Sequence, residues 1–368
     1  MNMRFRPTVA EVDASAITAN VAAIGAKTGT EVCAVVKADG YGHGAVTAAT
    51  AALAGGARWL AVALVEEGQA LRAAGIDADV LLLSEPSVDA IDALLDAHLT
   101  PMVYTRDFVV ALAGAARSRG ITVGAHLKVD TGMGRVGVPA AEWEECLDWF
   151  ADESVTIDGI ATHLARADEL DAPTTAEQHA RFESFLDRAA DFGIRPRWVH
   201  AANTAAALCH PAVHYDLVRV GIGIYGLSPS ADVDAAAHGL RPALRVVSHI
   251  TYAKRVTAGT PASYGHRWSA PADGWLATVP IGYADGVPRA LTNRATAMLG
   301  GVRRPIVGTV CMDQLLVWCG DAAVTVGEPV VLLGDGVRVE DWAVAADTIT
   351  YEIVTQLTAR LPRVEVTS

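Results

Sequence analysis

The feature that most limits the possible folds is an alternation that repeats eight times between about Glu31 and Gly226. Each repeat has a short apolar run rich in β-branched residues and then an Ala/Leu-rich run with helical spacing. Strands that alternate with helices form parallel βαβ units, so eight units predict a (β/α)8 TIM barrel, with a doubly wound open sheet as the alternative. The predicted strands are Val32–Lys37, Trp59–Ala63, Val80–Ser84, Pro101–Tyr104, Val123–Val129, Ile157–His163, Trp198–Asn203 and Leu217–Ile224.

The intervening runs and the second half of the chain complete the prediction of secondary structure. The predicted helices are Ala45–Leu53, Val65–Ala74, Val88–Leu95, Phe108–Ser118, Ala141–Phe150 and Ala176–Phe192. After about Leu240, apolar segments are separated by Gly, Pro and Asp turns, which predicts a mostly β domain. Its segments are Leu244–Val256, Trp275–Ile281, Thr296–Leu299, Pro305–Val310, Leu315–Trp318 and Pro329–Leu333, followed by helical Trp342–Ala346 and Tyr351–Ala359.

These patterns predict an α/β fold with two domains. The barrel is expected over residues 12–236, and the β domain over residues 237–368 together with residues 1–11. A short strand near Thr8–Val12 precedes the barrel, and its pairing with the β domain is left open. A length of 368 residues is enough for a barrel and a smaller second unit.

Composition excludes several classes of partner. The net charge of −13 argues against nucleic acid and anionic membranes, although it allows an anionic small ligand at a locally positive site. The five cysteines form no CxxC pair and no zinc-type spacing with histidine, so we expect reduced thiols and no metal. The N-terminus lacks the apolar core of a signal peptide, and no run is apolar enough to cross a bilayer. We therefore expect a soluble cytoplasmic protein.

In a TIM barrel the active site is built from the C-terminal ends of the strands and the loops that follow. The first predicted strand ends in Lys37 and continues into a loop with Gly40, Gly42 and Gly44, where the backbone can approach a ligand closely. Desolvation of a lysine at such a strand end lowers its pKa, which makes it a usable nucleophile or base. Lys37 is therefore the first candidate.

Later strand ends supply further polar candidates. The fifth strand carries Lys128 and is followed by Arg135, whose guanidinium suits a carboxylate; an ion pair with Asp130 or another acid is the alternative for Lys128. His163 follows the sixth strand, where a structural hydrogen bond is as good an explanation as catalysis. The seventh strand ends near Asn203 and Thr204, which offer side-chain donors.

The eighth strand contains Arg219 within an otherwise apolar run. An unpaired charge there is costly, so Arg219 must have a partner from the protein or from a ligand. Gly221 and Ile222 follow in the loop where barrels commonly bind phosphate through backbone N–H groups. A lysine, two arginines, a histidine and a glycine-lined phosphate pocket suit a phosphorylated aldehyde cofactor held as a Schiff base.

A series of motifs resembles the alanine racemase family across almost the whole chain and in the family's order. They are VVKADGYGHG, KVDTGMGR, THLARAD, RVGIGIYG, SYG, GYADG, CMDQ and YEIVTQ. The resemblance implies that pyridoxal 5'-phosphate is attached to Lys37. It also implies contacts between the cofactor and Tyr41, His163, Asn203, Thr204, Arg219, Gly221, Ile222 and Tyr351.

The resemblance further implies a two-base racemisation of L- and D-alanine. Lys37 serves one face of the α-carbon, and Tyr264 from a second subunit serves the other, with His163 tuning the tyrosine. Arg219 lies beside the pyridine nitrogen and keeps its proton, which leaves the ring a weaker electron sink. Met312 also comes from the second subunit, so a head-to-tail homodimer with shared sites is expected. The resemblance places the substrate against Arg135, Met312, Tyr283 and Asp313.

Three positions bear on how far the resemblance extends. Lys128 matches a position that is often carbamylated in the family, where the carbamate orients Arg135. Thr204 replaces a serine of many relatives and keeps the hydroxyl. Thr309 replaces an arginine of many relatives, which leaves the charge of the substrate entrance open.

Three other functions compete with alanine racemisation. A racemase of broader specificity on the same fold is the nearest, and a non-catalytic pyridoxal-phosphate carrier lacks the β domain that supplies Tyr264. A related decarboxylase is expected to place a carboxylate where Arg219 stands. The cellular role that we expect is D-alanine supply for peptidoglycan precursors, with alanine breakdown as the alternative.

Overall fold

A computed structural model describes residues 5–366 of the chain, so the ends of the predicted β domain at residues 1–4 and 367–368 lie outside the described residues. The chain divides into two compact units. One comprises Ile17–Gly40 and Ala45–Leu240, and is called the barrel unit below. The other comprises the described residues up to Ala16, Tyr41–Gly44 and the residues from Arg241 onward, and is called the β unit.

Eight parallel strands form the sheet of the barrel unit, and all eight strands predicted from the sequence are present with shorter C-terminal ends. They are β2 Glu31–Val35, β3 Trp59–Val62, β4 Asp79–Leu82, β5 Thr100–Val103, β6 Val123–Lys128, β7 Val155–Ala161, β8 Trp198–His200 and β9 Leu217–Val220. Several are buried along their whole length, as in β3 and β9, which is typical of parallel strands covered on both faces.

The strand order shows that the sheet closes into a barrel. Consecutive strands are neighbours from β2 to β8, and β9 pairs with β2. Between β8 and β9, the Arg219 N–H donates to the Ala202 carbonyl (2.9 Å) and the Asp216 N–H to the Val199 carbonyl (3.1 Å). The eight-stranded barrel is thus nearly closed, and the doubly wound alternative, whose strand order reverses, does not apply.

Helices follow most of the barrel strands, and the predicted ones are present with shifted ends, except that Ala141–Phe150 is reduced to the single turn Glu145–Asp148. The helices up to the end of the barrel are α1 Ala14–Thr28, α2 Ala45–Ala54, α3 Val65–Ala73, α4 Ile91–Asp96, α5 Arg106–Arg119, α6 Glu145–Asp148, α7 Thr174–Asp191 and α8 Thr204–Cys209. The sequence analysis missed α1 and α8. The ends of α5 show why a helix forms there: the Thr105 hydroxyl caps its start, and Gly120 ends it at φ 64°.

The β unit is rich in strands, as predicted. Its strands are β1 Val9–Asp13, β10 Leu244–His249, β11 Tyr252–Val256, β12 Pro261–Ala262, β13 Trp268–Ser269, β14 Gly274–Val279, β15 Thr296–Leu299, β16 Val302–Val307, β17 Leu315–Gly320, β18 Pro329–Leu333 and β19 Arg363–Val366. Two helices lie near its end, α9 Val339–Ala346 and α10 Thr350–Thr355. The predicted run Leu244–Val256 is two strands rather than one.

Nine of these strands make one mixed sheet in the order β11-β14-β17-β16-β15-β18-β10-β1-β19. The N-terminal strand β1 pairs with β10 antiparallel and with β19 parallel, which settles the pairing that the sequence left open. A small core packs Val256, Leu276 and Val307 against Trp268 and Trp318. Among the described residues, none of the helices is long and apolar enough to cross a membrane.

Candidate active site

Lys37 lies on a left-handed turn that follows the first barrel strand. The strand β2 ends at Val35, and Ala38, Asp39 and Gly40 all have φ between 52° and 61°. The Gly40 N–H donates to the Val36 carbonyl (2.9 Å), which closes one turn of left-handed helix. L-residues with side chains rarely adopt this conformation, so the turn needs support from its surroundings.

Two carboxylates supply that support. Glu67 on α3 accepts hydrogen bonds from the backbone N–H groups of Ala38 (2.6 Å) and Ala63 (2.8 Å). Asp39 accepts one from the Ala45 N–H (2.9 Å) at the start of α2. The sequence analysis did not identify Glu67, which determines the geometry of the lysine-bearing turn from a neighbouring helix.

Burial, together with nearby positive charges, depresses the pKa of both Lys37 and Lys128. For Lys37, burial and the positive charge of Arg135 lower the pKa, against a smaller opposing effect of Glu67. For Lys128, burial and then the charges of Arg219, Arg135 and Lys37 lower the pKa to about 8. Lys128 is 6% exposed and forms no ion pair within residues 5–366, so the predicted alternative with Asp130 is not realised.

Asp130 has a different role in the glycine-rich turn. Its carboxylate accepts from the N–H groups of Gly132 and Met133 at 2.9 Å, and from that of Gly134 at 3.0 Å. These bonds fix the turn that leads to Arg135. The predicted pair of Lys128 and Arg135 is therefore brought together in one positively charged region.

Arg219 is 5% exposed, and its partners come from the protein. Its Nη1 donates to His200 Nδ1 (2.6 Å) and to the His200 carbonyl (3.0 Å). Its Nη2 donates to the Thr162 carbonyl (2.7 Å) and to His163 Nδ1 (3.3 Å). Burial lowers the pKa of this guanidinium to about 10, so it stays protonated at neutral pH although its described acceptors are uncharged.

These contacts set the proton positions on two further histidines. Because Arg219 only donates, His200 Nδ1 must accept, and the proton of His200 lies on Nε2. His200 Nε2 then donates to His126 Nδ1 at 2.8 Å. Burial lowers the pKa of His126 to about 3, and that of His200 lies well below its usual range for the same reason. Both imidazoles are thus neutral.

His126 occupies a fitted position inside the barrel. A Cβ at Gly159, its register partner on β7, would lie 2.6 Å from the imidazole ring. The Trp59 ring also lies close to the imidazole, with ring centroids 5.4 Å apart. His126 and His200 were not predicted from the sequence, although each is a histidine within an apolar strand, the same kind of signal that identified Arg219.

The candidate phosphate loop follows β9. The Thr204 hydroxyl accepts hydrogen bonds from the N–H groups of Gly221 (3.2 Å) and Gly223 (3.4 Å). Asn203 caps the helix that begins at Thr204, and its amide nitrogen donates to the Leu164 carbonyl (3.2 Å). A Cβ at Gly223 would lie 2.8 Å from Thr204, so glycine permits this close approach.

The remaining predicted residues belong to the β unit. The rings of Tyr41 and Tyr351 lie together, with centroids 6.0 Å apart. The Tyr283 N–H donates to the Cys311 carbonyl, and the Ala284 N–H to the Met312 carbonyl, both at 3.0 Å. This pairing brings the GYADG and CMDQ segments together.

Several side chains of these segments are exposed. Tyr264, Tyr283 and Met312 are 74%, 41% and 51% exposed. Asp313 accepts from Arg360 Nη2 at 2.8 Å. Large exposed apolar side chains on segments that are hydrogen-bonded to one another favour a surface that meets a partner.

Thr309 is buried rather than placed at an open entrance. It is 3% exposed, and its hydroxyl donates to the Tyr264 carbonyl (2.7 Å). Positive charge is present close by, because Arg267, Arg289 and Arg294 line a cavity of about 410 Å³. Asn293, also in that lining, accepts from the Gly308 N–H at 2.6 Å.

Comparison with known proteins identifies the family of both halves of the chain. The alanine racemase N-terminal domain matches residues 12–229, and the alanine racemase C-terminal domain matches residues 243–365. The alanine racemase of Frankia casuarinae is 44% identical over 96% of this chain and 95% of its own length.

Solved structures extend the comparison to the fold. Alanine racemase from D-cycloserine-producing Streptomyces lavendulae is 38% identical, with a TM-score of 0.95 over 100% of this chain and 98% of its own. Alanine racemase from Bartonella henselae, solved with covalently bound pyridoxal phosphate, is 29% identical, with a TM-score of 0.88 over 98% and 99%. The chain belongs to the alanine racemase family.

Proposed function

We propose that this chain interconverts L- and D-alanine with pyridoxal 5'-phosphate, using Lys37 and Tyr264 as the two bases. The observation that carries the proposal is the environment of Arg219. This buried cation is hydrogen-bonded to carbonyls and neutral imidazoles, and it lies in the same unit as Lys37, an amine of lowered pKa. The family membership adds the reaction and the substrate.

The barrel unit fits the cofactor by its donor set. Lys37 offers an amine for attachment. For the phosphate, the loop at Gly221 and Ile222 offers the Ile222 N–H beside the Thr204 hydroxyl, which accepts from the Gly221 N–H. Arg219 offers a guanidinium for the ring nitrogen, and Tyr41 and Tyr351 form a pair in the β unit that we assign to the phosphate. When bound, the cofactor withdraws electrons from the substrate and so acidifies the bond between Cα and hydrogen.

The protein's own groups then move the proton. Lys37 removes or delivers it on one face of the α-carbon, and its lowered pKa increases the fraction that can act as a base. Tyr264 serves the opposite face. Because Arg219 donates to His163 Nδ1, the proton of His163 lies on Nε2, which is free to donate to a phenolate.

Arg219 limits side reactions by keeping its proton. With the cofactor bound, the Arg219 guanidinium, whose pKa is about 10, would donate a hydrogen bond to the ring nitrogen without transferring a proton to it. The electron withdrawal is then weaker than with a carboxylic acid partner. We propose that this favours rapid return of the proton to Cα and disfavours transamination.

Lys128 is proposed to carry a carbamate. With a pKa of about 8, a fraction of this amine is uncharged at neutral pH and can attack carbon dioxide, losing a proton as the N–C bond forms. The product is an anion among Arg135, Arg219 and Lys37; it offsets part of their positive charge and orients Arg135. A carbamate signal in the 13C NMR spectrum of the enzyme equilibrated with 13C-bicarbonate, absent in Lys128→Ala, is the expected result; its absence from both proteins rejects the carbamate.

The exposed Tyr264, Tyr283, Met312 and Asp313 are proposed to complete the active site of a second copy. A mixture of inactive Lys37→Ala and Tyr264→Phe proteins is then expected to regain activity when the subunits exchange, because one site of the mixed dimer holds both native bases. No recovery of activity from subunits that demonstrably exchange contradicts the shared site.

We assign Arg267, Arg289 and Arg294 to attracting the substrate carboxylate.

Three further statements stay proposals: the domain limits 12–236 and 237–368 with residues 1–11, a cytoplasmic location, and a role in peptidoglycan precursor supply.

The reaction itself is tested by adding the cofactor-loaded protein to L-alanine or D-alanine and following the circular dichroism of the amino acid. Decay of both signals to zero is expected, while decay with serine but not alanine assigns a different substrate. A constant signal from a protein with bound cofactor favours a carrier.

A further inference from the structure

The segment that presents Tyr264 has a strained backbone. Ser263, the residue before it, has φ 64° and ψ 178°, a region that residues other than glycine seldom occupy. His266 follows with φ 46°, and Tyr264 itself is 74% exposed. Contacts outside this short segment must therefore maintain the direction in which the phenol points.

Thr309 makes such contacts on both sides of the strained peptide. Its buried hydroxyl donates to the Tyr264 carbonyl (2.7 Å), and its own carbonyl accepts from the Ser263 hydroxyl (2.6 Å). These two bonds connect consecutive residues of the tyrosine segment to a single residue elsewhere in the chain. The hydroxyl of Thr309 thus holds the peptide from which the phenol extends.

The neighbours of Thr309 are fixed in turn. Gly308 has φ 70°, and a Cβ added there would lie 2.7 Å from the Ser263 Cβ. Its N–H donates to Asn293 Oδ1 (2.6 Å), and the Val310 N–H donates to the Thr292 hydroxyl (3.2 Å). Because both flanking residues are bonded, Thr309 is a rigid support rather than a mobile contact.

We propose that Thr309 is a positioning residue for the base Tyr264, acting through the Tyr264 carbonyl. This inference rests on the proposed function, in which Tyr264 serves one face of the α-carbon. Without the hydroxyl, the strained Ser263 can relax and move the phenol. A displacement of about 1 Å at a reacting group is enough to slow proton transfer on the order of a hundredfold.

The test uses Thr309→Val, which removes the donor at nearly constant volume, and Thr309→Ser, which keeps it. Thr278→Val is the matched control, because Thr278 is a buried threonine on β14 of the same unit. The holoenzyme of each variant is incubated in D2O with L-alanine and, separately, with D-alanine. The initial rate of exchange of the Cα hydrogen is measured for each enantiomer, together with the midpoint of thermal unfolding.

A positioning role predicts a loss for one enantiomer only. Thr309→Val is expected to slow exchange about tenfold for the enantiomer whose exchange Tyr264→Phe abolishes, and to leave the other within about twofold. Thr309→Ser is expected to recover the wild-type rate. Equal slowing of both enantiomers, or unchanged rates for both, overturns the assignment of Thr309. If Tyr264→Phe itself shows no preference between enantiomers, the two-base proposal fails instead.

Discussion

At the scale of single residues, the geometry of the barrel interior depends on a row of hydrogen bonds. The row begins at one cation and continues through two neutral imidazoles. Arg219 donates to His200, and His200 donates to His126. If His126 could not accept, the proton on His200 Nε2 would have no partner, and the alternative tautomer would turn an N–H towards Arg219. The last imidazole of the row therefore helps to hold the first guanidinium.

Replacing His126 tests this dependence. His126→Leu leaves a buried donor unpaired, so we expect a loss of about 1–3 kcal/mol in unfolding free energy and roughly a tenfold fall in kcat. His126→Asn can still accept from His200 and is expected to lose less of both. Denaturant unfolding and steady-state kinetics measure the two quantities.

His214→Leu is the control for His126, because His214 is also a buried histidine of the barrel unit but bonds to the Ala206 carbonyl (3.3 Å). It is expected to lower stability without a comparable fall in kcat. Equal kinetic effects of the two leucine variants contradict a specific role for His126.

Some of the site residues could be predicted from the sequence and others could not. Lys37, Lys128 and Arg219 could be predicted because charged residues at or within apolar strands are rare. Glu67, the partners of His126 and the buried position of Thr309 could not, because each depends on which strand, helix or loop its neighbour belongs to. Register across β6 and β7 is what places Gly159 beside His126.

At the scale of elements, β-branched runs predicted the existence of all eight barrel strands but not their ends. The predicted first strand included Lys37, whereas β2 ends at Val35 and the chain turns left-handed. That turn depends on Glu67 and Asp39, whose bonds to backbone N–H groups no periodicity reveals. The short α8 was missed because an alanine run after a strand fits both a helix and a loop.

The left-handed turn gives a prediction of its own. Gly40 has φ 61°, and an added Cβ would lie 3.0 Å from the Ala48 Cβ. We expect Gly40→Ala to reduce the unfolding free energy by about 1–3 kcal/mol and to weaken cofactor binding, since Lys37 begins the turn.

Gly120→Ala is the control for Gly40→Ala, because it introduces backbone strain at a position outside the site. Gly120 has φ 64° with nothing within 4 Å of an added Cβ, and it ends α5. It is expected to lose stability but not cofactor affinity, which fluorescence titration with pyridoxal phosphate measures. Unchanged affinity in Gly40→Ala contradicts a role of the turn in the site.

At the scale of the whole molecule, the buried neutral histidines make stability depend on pH. The pKa of His126 is about 3 and that of His200 lies well below its usual range, whereas an unfolded histidine titrates near ~6.5. Below that pH the unfolded chain binds protons that the folded chain does not. Unfolding free energy is therefore expected to fall as pH drops, by up to about 1.4 kcal/mol per pH unit for each histidine.

Urea unfolding at pH 7.5, 6.5 and 5.5 measures this slope. His126→Asn removes one of the two groups, so its slope between pH 6.5 and 5.5 is expected to be smaller than that of the wild type by about 1 kcal/mol per unit, because an unfolded histidine is only half protonated at pH ~6.5. Identical slopes in the two proteins contradict a neutral buried His126.

The two-base racemisation of alanine is tested most directly by the origin of the hydrogen on Cα. The holoenzyme is given L-alanine in D2O. The first D-alanine formed is separated on a chiral column, and its deuterium content is measured by mass spectrometry. With Lys37 and Tyr264 on opposite faces, the group that delivers the hydrogen is not the one that removed it, so D-alanine carrying deuterium at Cα is predicted. D-alanine that retains the original protium contradicts two bases, and a failure to form any D-alanine contradicts the racemase itself.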